Sequence, residues 1–291
     1  MNILYRNSDL ILKNEKNFKL SHIFDCGQCF RFNKTGDNTY TGIAKGKALT
    51  ISQIEDEIIF YDTSEQDFYN IWYDYFDFET DYTKIKKELS CDKVMKNAIK
   101  YGDGIRILKQ DLWETVISFI ISASNNIPRI KGIIERLCEN FGNKIYYRDN
   151  LYYTFPTIER LSSLTLKDIS VIRAGFRDKY ILDAAEKFDN ATISDKILHD
   201  LSTDDAKKTL MQISGVGNKV ADCILLFGLS RADSFPVDVW IKRIMEYCYF
   251  ESREQTKELI GEFAQGKFGA FSGYAQQYLF YYARENKIGT N

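Results

Sequence analysis

Apolar and polar positions alternate with period two over much of the N-terminal part of the chain. "MNILYRNSDLILKNEKNFKL" alternates without a long apolar core. "NTYTGIAKGKALTISQIEDEIIFYD" (38–62) carries β-branched and aromatic residues in short runs, split by Gly42, Gly46 and a charged turn. Such alternation predicts short strands joined by tight turns. Between these stretches, "FDCGQCFRFNKTGD" reads as strand, turn, strand. The spacing then lengthens. "EQDFYNIWYDYF" and "DYTKIKKEL" shift to a helical period, and from about residue 87 the chain reads as helical nearly to its end.

Within the helical part, "LWETVISFIISASNN" predicts a strongly apolar helix stopped by a Ser/Asn cluster. "IPRIKGIIERLCENFG" predicts the next, with Pro128 near its beginning and Gly142 after it. "KDISVIRAGFRDKYILDAAEKF" predicts two helices around Gly175, and "STDDAKKTLMQI" opens on a Ser/Thr cap with an acidic first turn. No internal repeat is present. The fold class is α+β: a small antiparallel α+β domain over 1–100, then helical domains over 101–291.

Composition narrows the function classes. A chain of 291 residues, 44% hydrophobic and 14% aromatic, builds a sizeable core and is not disordered. It has no apolar run of membrane-spanning length and no signal-peptide core, so an intracellular protein is expected, in the cytoplasm and nucleoid or in a nucleus. The formal net charge is −2, so any binding to nucleic acid must rest on placed groups, not bulk charge. "CGQC" invites a zinc or redox reading, but the only histidines, His22 and His199, offer no ligand spacing to complete a site. Free thiols are expected for the six cysteines.

The most informative stretch is "LMQISGVGNKVADCILLFGL". Apolar spacing runs up to Ile213 and resumes at Val220, with Ile224 and Phe227 on the same helix face. Between them, Gly215-Val216-Gly217 forms a tight turn, and Asn218 is a candidate cap for the second helix. The pattern is a helix-hairpin-helix over about 205–228. Its free N–H groups at a helix start suit a DNA phosphate, although such a turn can also simply join two packed helices. Lys219 sits in the first turn of that helix, where the macrodipole and burial would favour a neutral, nucleophilic amine. Cys223, four residues on, shares its face. A lone lysine here is more often a phosphate contact or a solvated residue. In "FPVDVWIKRIM", Asp238 precedes an apolar-periodic helix and could be only its cap. A helix and a short loop separate it from Lys219, enough to return a carboxylate to the amine. That pair suits attack on a sugar carbon through an oxocarbenium-like state.

"GVGNKVADCI" followed by "FPVDV" resembles the helix-hairpin-helix–Gly/Pro–Asp superfamily of DNA base-excision glycosylases. "GQCFRF", "SASNNIPRIKGIIERLCENFG", "AGFRDKY" and "GYAQQYLFYYARE", in that order, resemble its 8-oxoguanine DNA glycosylase branch. The resemblance implies a β domain like that of the TATA-binding protein, followed by a helical body with a cleft. It implies a monomer that acts on double-stranded DNA containing 8-oxoguanine. Lys219 would attack C1′ of the damaged nucleotide, expel the base and nick the strand by β-elimination from a Schiff base. Asp238 would stabilise charge. The carbonyl of Gly27 would read the N7–H that guanine lacks. Cys223 and Phe280 would sandwich the extruded base, and Gln276 would bond its Watson–Crick edge. Asn125 or Asn126 would fill the gap in the duplex, and Arg129 and Arg177 would read the orphaned cytosine beside a Phe176 wedge. Gly215 and Gly217 would face phosphate. The carbonyls of Met211, Ile213 and Val216 match a hairpin site for an alkali or alkaline-earth cation. The sequence departs from the branch at Ser124, Phe176 and Trp240, where asparagine, tyrosine and histidine are expected.

Two other readings stay open at this point. One is a glycosylase of the same superfamily for other damaged purines. Members with a C-terminal iron–sulfur cluster need four late cysteines, and the last here is Cys248. The other is a non-catalytic DNA-binding module, for which the hairpin alone would suffice. No required cofactor is expected.

Overall fold

The computed structural model describes residues 1–290. Six antiparallel strands form one sheet: β1 (Asn2–Arg6), β2 (Asp9–Lys13), β3 (Phe32–Gly36), β4 (Thr39–Ala44), β5 (Lys47–Ile54) and β6 (Glu57–Phe60). The spatial order is β1-β2-β6-β5-β4-β3. Leu10 lies opposite Phe60, and Ile51 opposite the same residue, so one face of the sheet carries a continuous apolar ladder. That face buries Leu10, Leu12, Leu49, Ile51, Ile58 and Phe60 against Phe24, Phe68, Trp72 and Phe76. The alternation in the sequence is the cause: every second residue must leave water on the same side.

"FDCGQCFRF" does not form strand, turn, strand. Leu20–Phe24 is a short helix, the CGQC segment is a turn, and only β3 follows as a strand. Apolar Leu20, Ile23 and Phe24 are all buried in the helix, which overrides their strand-like composition. The helical reading after residue 87 also missed a hairpin, β7 (Lys144–Tyr147) with β8 (Asn150–Tyr153). Its short "KIYY" and "NLYY" runs flank a two-residue turn, Arg148-Asp149, at φ 48° and 61°. This left-handed pair matches the twist of a hairpin.

The helical body holds two further cores. Leu112–Ser122, Ile127–Phe141, Asp178–Asp189 and Asn218–Gly228 build the central one. Asp111 caps the first of these by accepting the Glu114 N–H at 2.9 Å. The last core joins the C-terminal helices Val239–Tyr249, Lys257–Phe268 and Ser272–Glu285 to Tyr82–Leu89 and Lys93–Tyr101. The latter two helices belong by sequence position to 1–100, but their apolar faces pack with the C-terminal end of the chain. Chain beginning and chain end therefore meet, which brings the CGQC turn against the Ser272–Glu285 helix.

Candidate active site

The hairpin consists of Thr203–Leu210, a turn, and Asn218–Gly228. Gly215 takes φ +82°, and a Cβ there would lie 2.3 Å from the Tyr180 ring, so only glycine fits. Gly217 has open space at the same test and is exposed. It is the N-cap residue of the second helix, and no side chain caps that helix. The expectation that Asn218 caps it is corrected: Asn218 is already the first helical residue. The first N–H groups of this helix thus keep no side-chain acceptor, as a phosphate-facing helix start requires.

A cavity of about 430 Å³ opens beside this helix. Lys219 and Cys223 line one wall, and Asp238 and Trp240 another. Gln276, Phe280 and Arg284 come from the C-terminal helix, Gly27 from the CGQC turn, and Asn125 and Asn126 from the turn after Leu112–Ser122. Nine of the residues singled out in the sequence are thus brought together from five separate segments. A larger cleft of about 690 Å³ lies on the other side of Lys219, lined by acidic residues including Asp204, Asp222 and Glu262. It has no thiol and a single aromatic, Phe235, so it offers no pair of walls to hold a purine, and the smaller cavity is the better base pocket.

Each group in the pocket has a physical setting. The Lys219 Nζ lies over the Phe119 ring, 5.3 Å from its centroid, and Phe119 stacks on Phe227. Burial pushes the Cys223 thiol up to about 11, against the pull of the neighbouring Lys219, so it is an uncharged thiol at neutral pH. Asp238 caps Val239–Tyr249 by accepting the Ile241 N–H at 2.8 Å. Burial raises its carboxyl above the ordinary range, while that N–H and Lys219 hold it down. Gln276 is fixed at both ends of its amide: Nε2 donates to the Pro236 carbonyl at 3.3 Å and Oε1 accepts from Gln277 at 3.0 Å. Gly27 has φ +78°, and a Cβ there would sit 3.2 Å from Phe280, so the turn and the ring close against each other. Phe119, Pro236, Gln277 and Arg284 are pocket groups that sequence reasoning missed. For Arg284 a signal existed, since Gln276, Phe280 and Arg284 follow one another at i, i+4, i+8.

The two asparagines at the pocket rim are engaged within the protein, and the remaining candidates lie outside the pocket. Asn125 is turned back on its own helix, donating to the Ile121 carbonyl, and Asn126 caps Ile127–Phe141 through the Arg129 N–H. Arg129 and Phe176 are exposed. Arg177 is buried, stacks on Phe176 and donates to the carbonyls of Ala123, Ser124 and Ala174. Met211 is exposed, and Ile213 and Val216 are buried in the turn. Among the described residues, no group of three or more His, Cys, Asp or Glu is disposed to hold a metal ion. No helix among them is long and apolar enough to cross a membrane.

A fold of sheet plus helical hairpin body, with a purine-sized pocket beside a lysine and an aspartate, defines a class of base-excising DNA enzyme. Residues 10–116 match the 8-oxoguanine DNA glycosylase N-terminal domain, and residues 117–268 match the HhH-GPD superfamily of base excision DNA repair proteins. The 8-oxoguanine glycosylase/lyase of Clostridium acetobutylicum, solved with DNA containing cytosine opposite 8-oxoguanine, is 42% identical with a TM-score of 0.96, covering 99% of each chain. MBOgg1, solved with a low-affinity DNA ligand, is 48% identical with a TM-score of 0.95, covering 98% of this chain and 99% of that one. The N-glycosylase/DNA lyase of Saccharomyces cerevisiae is 36% identical over 61% of this chain and 56% of the yeast protein. The chain belongs to the 8-oxoguanine DNA glycosylase/lyase family of the HhH-GPD superfamily.

Proposed function

We propose that the protein, as a monomer inside the cell, extrudes 8-oxoguanine from duplex DNA, releases the base and nicks the abasic strand. The observation that carries this reading is the shared pocket: Lys219 and Asp238 face the same 430 Å³ space as Gly27, Cys223, Gln276 and Phe280. The extruded purine lies between Phe280 and the Cys223 thiol, with its N7–H donating to the Gly27 carbonyl and its Watson–Crick edge on Gln276. The unprotonated Lys219 amine attacks C1′, and the C1′–N9 bond breaks with its electron pair leaving on the base. The Asp238 carboxylate stabilises the cationic sugar through this step. Loss of the amine proton and ring opening give the Schiff base. Removal of a 2′ proton then expels the 3′ phosphate.

DNA is held outside the pocket by the hairpin, with Gly215 shaping the turn and Gly217 leaving room for a phosphate. Asn125 or Asn126 enters the gap in the duplex, and Arg129 and Arg177, next to the Phe176 wedge, meet the opposite base. No cofactor takes part. A loosely held alkali or alkaline-earth cation on the carbonyls of Met211, Ile213 and Val216 would stiffen the hairpin. The Ile213 carbonyl already accepts the Val216 N–H at 3.0 Å and keeps one lone pair for such an ion.

Borohydride trapping on an 8-oxoguanine duplex tests the chemistry. The wild type is expected to give a covalent adduct and Lys219→Gln none. No adduct from the wild type, or equal adduct from the variant, defeats the mechanism.

A further inference from the structure

Among the described residues, Arg284 is the one cation on the pocket wall besides Lys219. Most of its guanidinium is spoken for. Nη2 donates to the Asp25 carbonyl and pairs with Glu285, and Nε donates to Glu285 at 3.0 Å. Its Nη1 is different: it is buried and has no hydrogen-bond partner. A buried charged donor without an acceptor is costly, so a turn of the guanidinium that brings Nη1 to an acceptor in the pocket is favoured. Its position is specific. Nη1 would lie 3.4 Å from a Cβ built on Gly27, and the guanidinium sits 5.3 Å from the Phe280 ring centroid.

Gln276, Phe280 and Arg284 form one stripe along the Ser272–Glu285 helix, spanning about 12 Å at the usual rise. Phe280, in the middle, offers a face on which a purine stacks. Gln276 stands at one end of that stripe and Arg284 at the other, so they meet opposite edges of the stacked ring. With the Watson–Crick edge on Gln276, the imidazole edge lies toward Arg284 and the Gly27 turn.

We propose that Arg284 is a second specificity-determining contact, donating from Nη1 to the C8 carbonyl oxygen of the extruded purine. Gly27 and Arg284 then read adjacent atoms of the same edge, an acceptor for N7–H and a donor for the C8 oxygen. Guanine has neither partner. The inference rests on the reading that the pocket takes 8-oxoguanine. The contact is charge-assisted and lies where negative charge spreads on the base as it departs.

Arg284→Met tests it in single turnover. Base release from 8-oxoguanine duplex is expected to slow at least tenfold, while nicking of a preformed abasic site stays within twofold of wild type. A second substrate separates direct contact from mere support of the Gly27 turn: 8-thioguanine keeps N7–H but replaces the C8 oxygen with a poor acceptor. The exchange of oxygen for sulfur is expected to slow the wild type at least threefold more than the variant. Equal sensitivity of both proteins to sulfur, unchanged release by the variant, or a parallel loss of abasic-site nicking would overturn the assignment. A wild type that nicks abasic DNA but releases no 8-oxoguanine defeats the substrate reading itself, and this contact with it.

Discussion

Asp238 acts in two ways with one carboxyl: it caps the Val239–Tyr249 helix through the Ile241 N–H at 2.8 Å, and it shares a pocket with Lys219. The two roles separate by substitution. Asparagine keeps an acceptor for the cap and removes the charge, whereas alanine removes both. Asp238→Ala is expected to lose about 1 kcal/mol of stability and Asp238→Asn far less. Both are expected to slow base release by roughly a hundredfold or more. Chemical denaturation and single-turnover kinetics on the pair check this; an asparagine variant with wild-type rates would leave the cap as the only role.

The same carboxyl sets an acid limit. Burial raises its pKa above the ordinary 3.8, against the Ile241 N–H and Lys219. In the proposed mechanism the carboxylate is the working form, so base release is expected to fall as pH drops through a value above 3.8. The stability effect has the opposite sign. A raised carboxyl favours the fold while protonated, below the unfolded value, and loses that contribution as pH rises through the folded value. A pH–rate profile of wild type beside one of Asp238→Asn shows whether this acid limb belongs to Asp238; a limb that persists in the variant belongs to another group.

The two hairpin glycines differ in what they protect. Gly215 has φ +82° and a Cβ there would meet the Tyr180 ring at 2.3 Å, so Gly215→Ala is expected to destabilise by about 2 kcal/mol or more. Gly217 has ordinary φ and open space, so Gly217→Ala is expected to change stability by less than about 1 kcal/mol. Its effect falls on DNA affinity instead. Melting curves with duplex titrations resolve the two, and an affinity loss confined to Gly215→Ala would contradict the phosphate-facing role of Gly217.

These particulars show what the sequence could and could not disclose. Strands in 38–62 and the helices around Pro128 and the hairpin were legible because one buried face imposes a period. The Leu20–Phe24 helix was not, since five residues carry too little periodicity to outweigh the strand-like run beside them. Nor was the β7–β8 hairpin, whose strands are only four residues each. In the pocket, Lys219 and Asp238 stood out by spacing and helix position. Phe119 and Pro236 did not, because an aromatic in an apolar helix and a backbone carbonyl carry no signature before the chain has folded back. For Arg177 the sequence carried the residue type but not its setting: its burial among the carbonyls of Ala123, Ser124 and Ala174 is invisible in one dimension.

An ion pair outside the pocket lining gives a further test. Glu114 lies 3.7 Å from Nη1 of Arg31, which is itself buried, with neither Nε nor Nη1 making a hydrogen bond. Burial raises the Glu114 carboxyl from 4.5 to about 7, with Arg31 pulling the other way. The folded state therefore holds a proton that the unfolded state releases near 4.5. The contribution of this group is full below that pH and is lost as pH rises to about 7. The stability of wild type minus that of Glu114→Gln is expected to fall by roughly 3 kcal/mol across this window. Denaturant titrations at a series of pH values measure it, and a difference that is flat or rises with pH contradicts the buried-proton account.

Arg129 and Arg177 are close enough for charge to couple, yet the fold uses them differently. Arg177 is 2% exposed and donates to three carbonyls, two of them in the turn that carries Asn125 and Asn126. Ser124 in that turn has φ 49°, a left-handed conformation that needs outside support. To reach a base, Arg177 must release part of this support, so the proposed opposite-base reading by Arg177 would be coupled to the shape of the asparagine turn. Arg129 is exposed and supports nothing comparable. Arg177→Ala is thus expected to lose about 2–3 kcal/mol and to impair excision opposite all four bases. Arg129→Ala is expected to stay within about 0.5 kcal/mol of wild type and to change only the ratio of rates opposite cytosine and the other bases. Melting curves and single-turnover rates on four duplexes decide it; a stable Arg177→Ala protein with altered base preference alone would make Arg177 a free reader and not a strut.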